Sequence, residues 1–210
     1  MSDSDGLIRV LGIVGSPRRK GNTETLLDRF LAGARGAGAE VDKVVVARLN
    51  IAGCLACDGC WKDGQCVVQD DFQAINQKLV AADVIALAAP LYFWNLPAQV
   101  KALVDRSQCQ WARACVLELP LASTSSGRSR RRGVFLSVGG DPHAEFGCAI
   151  KTIEGFFGLY EAEYWAELLV AGVDPRGAIL EHPTALQEAF DLGVRSVEQA
   201  WDSTAMIGRS

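Results

Sequence analysis

Val84–Ala89 (VIALAA) is an unbroken apolar run of strand length, stopped by Pro90. Such a run has no polar alternation, so both of its faces need cover, which a parallel sheet flanked by helices provides. The rest of the chain keeps the same rhythm. Ile8–Val14, Val41–Ala47, Val134–Val138 and Tyr164–Val170 complete five candidate strands. Between them lie helical patterns. Leu26, Leu27, Phe30, Leu31 and Ala34 follow Asn22 or Thr23 as N-cap, and Phe72, Ile75 and Leu79 follow Asp70. Val100, Leu103 and Val104 follow Pro97 in a first helical turn. Gly147–Phe157 and Thr184–Trp201 are the last two helices, the latter with Thr184 and Gln187 as capping box. Strands alternating with helices predict a doubly wound α/β fold, a sheet of parallel strands with helices on both faces.

The 210 residues fit one domain over 1–210. Residues 50–70 form a cysteine loop, 113–132 a mobile insertion and 202–210 a frayed tail. Ligands of such sheets sit beyond the carboxyl ends of the strands. The loops that start at Ser16, Pro90 and Gly139 all follow strand ends, so topology gathers them at one edge.

A net charge of −4 gives no general attraction to nucleic acid or an acidic membrane. No apolar run approaches the ~20 residues that span a bilayer. The start, MSDSDG, lacks a cationic region ahead of an apolar one, so a cytoplasmic protein with reduced thiols is expected. Cys54, Cys57, Cys60 and Cys66 are spaced Cys-x2-Cys-x2-Cys-x5-Cys. That spacing suits a 4Fe–4S cluster, a tetrahedral zinc ion or a set of free thiols. Cys109, Cys115 and Cys148 lie outside the motif and are expected to be small buried apolar residues.

The segment Ser16-Pro17-Arg18-Arg19-Lys20-Gly21-Asn22-Thr23 offers hydroxyls, an amide, a glycine and cations just before a helix, a place for an anion. It is neither the Walker pattern nor Gly-x-Gly-x-x-Gly. An ordinary cationic turn is the alternative. Tyr92, Phe93 and Trp94 follow a strand end and cannot all point inward. With Asn95 they suit the wall of a flat apolar ring, and Gly139 and Gly140 let backbone amides approach one.

Taken together, GSPRRKGNT, GCLACDGCWKDGQCVVQDD and APLYFWNLPAQVKALVDR resemble the flavodoxin-like NADPH-dependent FMN reductases, and among them the iron–sulfur flavoproteins, over roughly residues 8–200. The resemblance implies a three-layer flavodoxin-like sheet of five parallel strands in the order 2-1-3-4-5, with FMN at the strand ends. Ser16, Arg18, Asn22 and Thr23 would bind the FMN phosphate. Pro90, Leu91, Tyr92, Phe93, Trp94 and Asn95 would line the ribityl chain and one ring edge, and Gly139, Gly140 and Asp141 the pyrimidine side. It also implies NAD(P)H as electron donor, a small-molecule acceptor such as a flavin, quinone or metal centre, and hydride transfer on one open ring face without a catalytic side chain. A cluster on Cys54, Cys57, Cys60 and Cys66 would relay single electrons, and a homodimer or homotetramer is expected. The rival function is a carrier between ferredoxin and a later acceptor; a flavin-binding module with structural zinc is a third.

Arg128, Arg130, Arg131 and Arg132 could clamp the 2′-phosphate of NADPH or meet an acidic partner, though such a run usually marks a solvated loop. His143 is expected on a solvated loop and His182, before a proline, in a structural role.

Overall fold

The computed structural model describes residues 6–121 and 131–205. Strands β1 (Arg9–Val14), β2 (Glu40–Val45), β3 (Val84–Pro90), β4 (Arg131–Val138) and β5 (Ala162–Val170) form one sheet. Its order is β2-β1-β3-β4-β5, and every neighbouring pair is parallel, as the resemblance implied. Helices α1 (Asn22–Gly36), α2 (Phe72–Ala81), α3 (Ala98–Arg106), α4 (Gln108–Trp111), α5 (Gly147–Leu159) and α6 (Ala185–Ala205) cover it.

The apolar run in β3 explains the layering. Val84, Ala86 and Ala88 join a core with Leu26, Phe30 and Val197, from α1 and α6. Ile85, Leu87 and Ala89 face the other way and join Phe72, Leu103 and Phe156, from α2, α3 and α5. Side chains of a strand alternate between faces, so a central strand covered twice has no polar position. On the first face the helices touch backbone to backbone. A Cβ on Gly33 would lie 2.1 Å from the Phe190 carbonyl oxygen, and one on Gly193 2.0 Å from that of Phe30. Only glycine permits that approach.

The structure corrects several expectations. Part of the connection expected over 113–132 belongs to regular elements. Ala112–Val116 is a π-helical turn continuing α4, and Arg131 and Arg132 already belong to β4. Arg131 is buried. The Arg132 guanidinium lies 4.9 Å from the Trp165 ring centroid and donates to the carbonyls of Ser196 and Gln199 at 3.3 and 2.9 Å. Both arginines start a strand, so they sit at the opposite edge of a parallel sheet from the strand-end loops and cannot reach a dinucleotide there. Arg128 and Arg130 lie outside the described residues.

Thr184 and Gln187 form no capping box. The His182 Nδ1 accepts the Ala185 N–H at 3.1 Å and the Thr184 N–H at 3.4 Å. It caps α6 in their place. That helix continues to Ala205, past the Trp201 at which a frayed end was expected. Cys109 is buried as anticipated, but Cys115 and Cys148 are exposed. Among the described residues no helix is long and apolar enough to cross a membrane.

Candidate functional site: a cleft at the strand ends

The turn after β1 is shaped from within. The Gly15 N–H donates to the Ala88 carbonyl at 2.7 Å, holding the chain beside β3. Ser16 Oγ accepts the Arg18 N–H at 3.2 Å, and Lys20 takes a left-handed φ of 51°. Helix α1 then begins behind Gly21 with no side-chain cap, neither Asn22 nor Thr23 serving as expected. Uncapped first-turn N–H groups and the helix dipole favour an anion.

Thr23 is 1% exposed, and its Oγ1 has no hydrogen-bond partner. Asn22 differs from the expectation. Its Nδ2 donates to the Pro175 carbonyl at 2.9 Å, and its Oδ1 accepts the N–H groups of Gly177 at 2.9 Å and Ile179 at 3.4 Å. The side chain therefore ties α1 to the loop after β5. Glu24 accepts the Lys20 N–H at 2.5 Å and pairs with Lys43 at 2.9 Å. Burial alone would push its carboxyl up, but Lys43 and the Lys20 N–H outweigh it and hold it below the ordinary range.

After β3, Tyr92 and Asn95 exchange backbone hydrogen bonds at 2.8 and 2.9 Å. Phe93 and Trp94 form the tip between them, both left-handed at φ 48° and 61°. A bulky residue there costs about 1–2 kcal/mol. Glycine and asparagine are the usual occupants. The tip holds Phe93 93% and Trp94 62% exposed, while Tyr92 is 40% exposed. Asn95 Oδ1 accepts the Leu96 N–H at 2.9 Å and the Thr152 hydroxyl at 3.3 Å, so it braces this turn.

After β4, Gly139 continues the ladder, its N–H donating to the Val170 carbonyl and its own carbonyl accepting from Val173, both at 2.9 Å. Asp141 Oδ1 accepts the His143 N–H at 2.8 Å, which shapes the bend.

One open cleft joins these loops. Ser16, Arg18, Asn22 and Thr23 line it from the first loop, Pro90, Leu91 and Tyr92 from the second, and Gly140 from the third. Phe93, Trp94, Asn95, Gly139 and Asp141 do not line it. A fourth segment does: Val173, Asp174 and Arg176, after β5. Sequence reasoning missed this wall, although Asp174-Pro175-Arg176-Gly177 is a turn signal placed at another strand end.

The cysteine loop is a separate surface, and none of its residues lines the cleft. Its neck is held by Arg106, 1% exposed. The Nη1 donates to Asp70 Oδ2 at 2.6 Å and to the Ala52 carbonyl at 3.1 Å, and the Nη2 to the Val68 carbonyl at 2.9 Å. Ala56 and Asp58 curl the chain through left-handed φ values of 49° and 54°. Cys60 and Cys66 pack against the second core, while Cys54 and Cys57 are exposed. Burial raises the Cys60 thiol, and the neighbouring Cys66, Cys54 and Cys57 raise it further. All seven cysteines are free. Among the described residues no three of His, Cys, Asp or Glu are placed to hold a metal ion. Four cysteines on one short loop suit a metal centre in kind, therefore, but not in placement.

Compared with known proteins, residues 8–159 match the family described as NADPH-dependent FMN reductase. An iron–sulfur flavoprotein of Methanosarcina thermophila is 39% identical over 60% of this chain and 66% of its own length. Another, from Methanocaldococcus jannaschii, is 34% identical over 73% of each chain. The alignments span only 45% and 52% of two further iron–sulfur flavoproteins, so the chain covers about half to two thirds of several such relatives. Among solved structures, a flavone reductase superposes with a TM-score of 0.67 over 94% of this chain and 64% of that one, at 19% identity, a likeness of fold.

Proposed function

The chain belongs to the NADPH-dependent FMN reductase family of oxidoreductases, and we propose that its cleft holds FMN and passes electrons from a reduced nicotinamide to a small planar acceptor. The observation that carries this reading is the Thr23 hydroxyl, buried without a partner where an uncapped helix opens on the cleft. A buried polar group is almost always paired, so an orphan at such a place fits a ligand's acceptor atom. The cleft also fits FMN in kind. It has cations at one part and the apolar Pro90, Leu91 and Tyr92 at another.

In this reading Ser16, Thr23 and the first-turn N–H groups of α1 donate to the phosphate, and Arg18 adds charge. Pro90, Leu91 and Tyr92 exclude water from the ribityl chain and ring edge. When bound, FMN supplies hydride acceptance from a nicotinamide and one- or two-electron donation. The protein's part is to orient the ring and leave one face open. The exposed Phe93 and Trp94, held at a strained tip beside the cleft wall, offer stacking surface for a planar acceptor such as a quinone. Protein loaded with FMN should oxidise NADPH in the presence of a quinone at a rate well above that of free FMN. Equal rates with and without the protein would remove the enzymatic reading.

A second reading is favoured by the Cys-x2-Cys-x2-Cys-x5-Cys spacing and by the iron–sulfur flavoprotein relatives. Cys54, Cys57, Cys60 and Cys66 would hold a 4Fe–4S cluster, which supplies single-electron exchange and suits a carrier fed by ferredoxin. Anaerobic counting of iron, acid-labile sulfide and zinc per chain tests it. Four iron atoms support the cluster, zinc alone supports the structural ion, and neither supports free thiols.

A further inference from the structure

Arg176 lines the same cleft as Arg18 and Thr23, yet it comes from the segment after β5 rather than from the three loops read in the sequence. That segment is built into the fold. Asn22, 7% exposed, takes the Pro175 carbonyl at 2.9 Å and the Gly177 and Ile179 N–H groups at 2.9 and 3.4 Å. Arg18 Nη1 donates to the Asp174 carbonyl at 3.4 Å, linking the first loop to the same wall. Val173 is buried and its N–H donates to the Gly139 carbonyl at 2.9 Å. Arg176 is thus carried on a wall fixed from both sides.

The polar groups of the cleft have a charge pattern. Arg18 and Arg176 outnumber the one carboxylate, Asp174, whose side chain lies against Gly140. Thr23 Oγ1 is buried there without a partner. Two guanidiniums, an orphan hydroxyl and an uncapped helix start suit a ligand group with several oxygens and a double negative charge. A phosphate monoester meets that description, and the primary alcohol of an unphosphorylated flavin does not.

We infer that Arg176 is a specificity-determining residue that makes the cleft select a flavin with a terminal phosphate monoester over one without it. This rests on the flavin reading above. The guanidinium donates charge-assisted hydrogen bonds to phosphate oxygens, which a neutral hydroxyl cannot match. Arg176 is exposed, so it has no part in the core.

The test is a titration of flavin-free protein with FMN and with riboflavin, followed by flavin fluorescence, for the wild type, Arg176→Gln and Arg176→Lys. Inorganic phosphate serves as competitor. Arg176→Gln should weaken FMN about tenfold or more and leave riboflavin unchanged, so that the preference collapses. Arg176→Lys should keep part of it, and the inhibition constant of phosphate as a competitor of FMN should be lower for the wild type than for Arg176→Gln. A preference for FMN that survives Arg176→Gln overturns the inference while the flavin reading stands. An equal loss for both flavins overturns it too, since Arg176 would then act through the fold. If the wild type binds neither flavin, the flavin reading fails and takes this inference with it.

Discussion

The Thr23 hydroxyl is buried without a partner, and such a group costs the free protein about 1–3 kcal/mol. Valine has nearly the same shape and no hydroxyl. Thr23→Val should therefore leave the flavin-free protein as stable in urea as the wild type, or up to about 1 kcal/mol more stable. The same change should weaken FMN binding about tenfold, through one lost hydrogen bond to a charged group. Stability and affinity moving in opposite directions is the signature; both unchanged would mean the hydroxyl faces nothing. Trp94 shows a similar opposition. Replacing it by glycine at φ 61° should stabilise the fold by about 1 kcal/mol in thermal unfolding, as strain is released. It should also raise KM for a quinone, because stacking surface is lost. A KM equal to the wild type's would detach the tip from acceptor binding.

At the scale of elements, the cysteine loop depends on its neck. Asp70 and Arg106 have side chains only 6% and 0% exposed, and they are joined at 2.6 Å. Burial alone would raise the Asp70 carboxyl, but the Arg106 guanidinium and the N–H groups of Ala52 and Phe72 hold it below its ordinary value of 3.8. A carboxyl depressed in the folded state contributes stability that is complete above the unfolded value and is lost as pH falls through the folded one. Asp70→Asn should cost about 3–5 kcal/mol near neutral pH, since it leaves the Arg106 charge buried and unpaired. In urea unfolding, the gap from the wild type should begin to narrow below about pH 4 and close further into acid. A gap independent of pH would deny the ion pair its role.

The elements themselves were largely legible. β-branched runs and 3.6-residue apolar spacing mark each strand and long helix, because tertiary burial demands those periods. Caps and ends were less so. His182 caps α6 through a ring nitrogen, which competes with the Thr184 and Gln187 pattern and leaves no periodic trace. Arg131 and Arg132 read as a solvated run, yet strand pairing and the Trp165 ring absorb them.

At the scale of the molecule, the order β2-β1-β3-β4-β5 brings the carboxyl ends of four strands to one cleft. Three of those walls were visible from sequence, because a phosphate-type turn, an aromatic cluster and paired glycines each follow a strand. The fourth was not. Its Asp-Pro-Arg-Gly segment reads as punctuation, and only the fold reveals that Asn22 pins it beside the first loop. Similarly, spacing gave the four cysteines as one set, whereas the structure leaves two at the surface and two against the core. A ligand that binds only the folded chain also stabilises the whole of it, by about 2.7 kcal/mol at a hundredfold excess over Kd. The most direct test of the account is therefore the amount of flavin the protein keeps after incubation with excess FMN and removal of the free ligand. One FMN per chain, with a higher unfolding temperature than the flavin-free protein, is the predicted result. A colourless protein whose unfolding temperature does not move would contradict it.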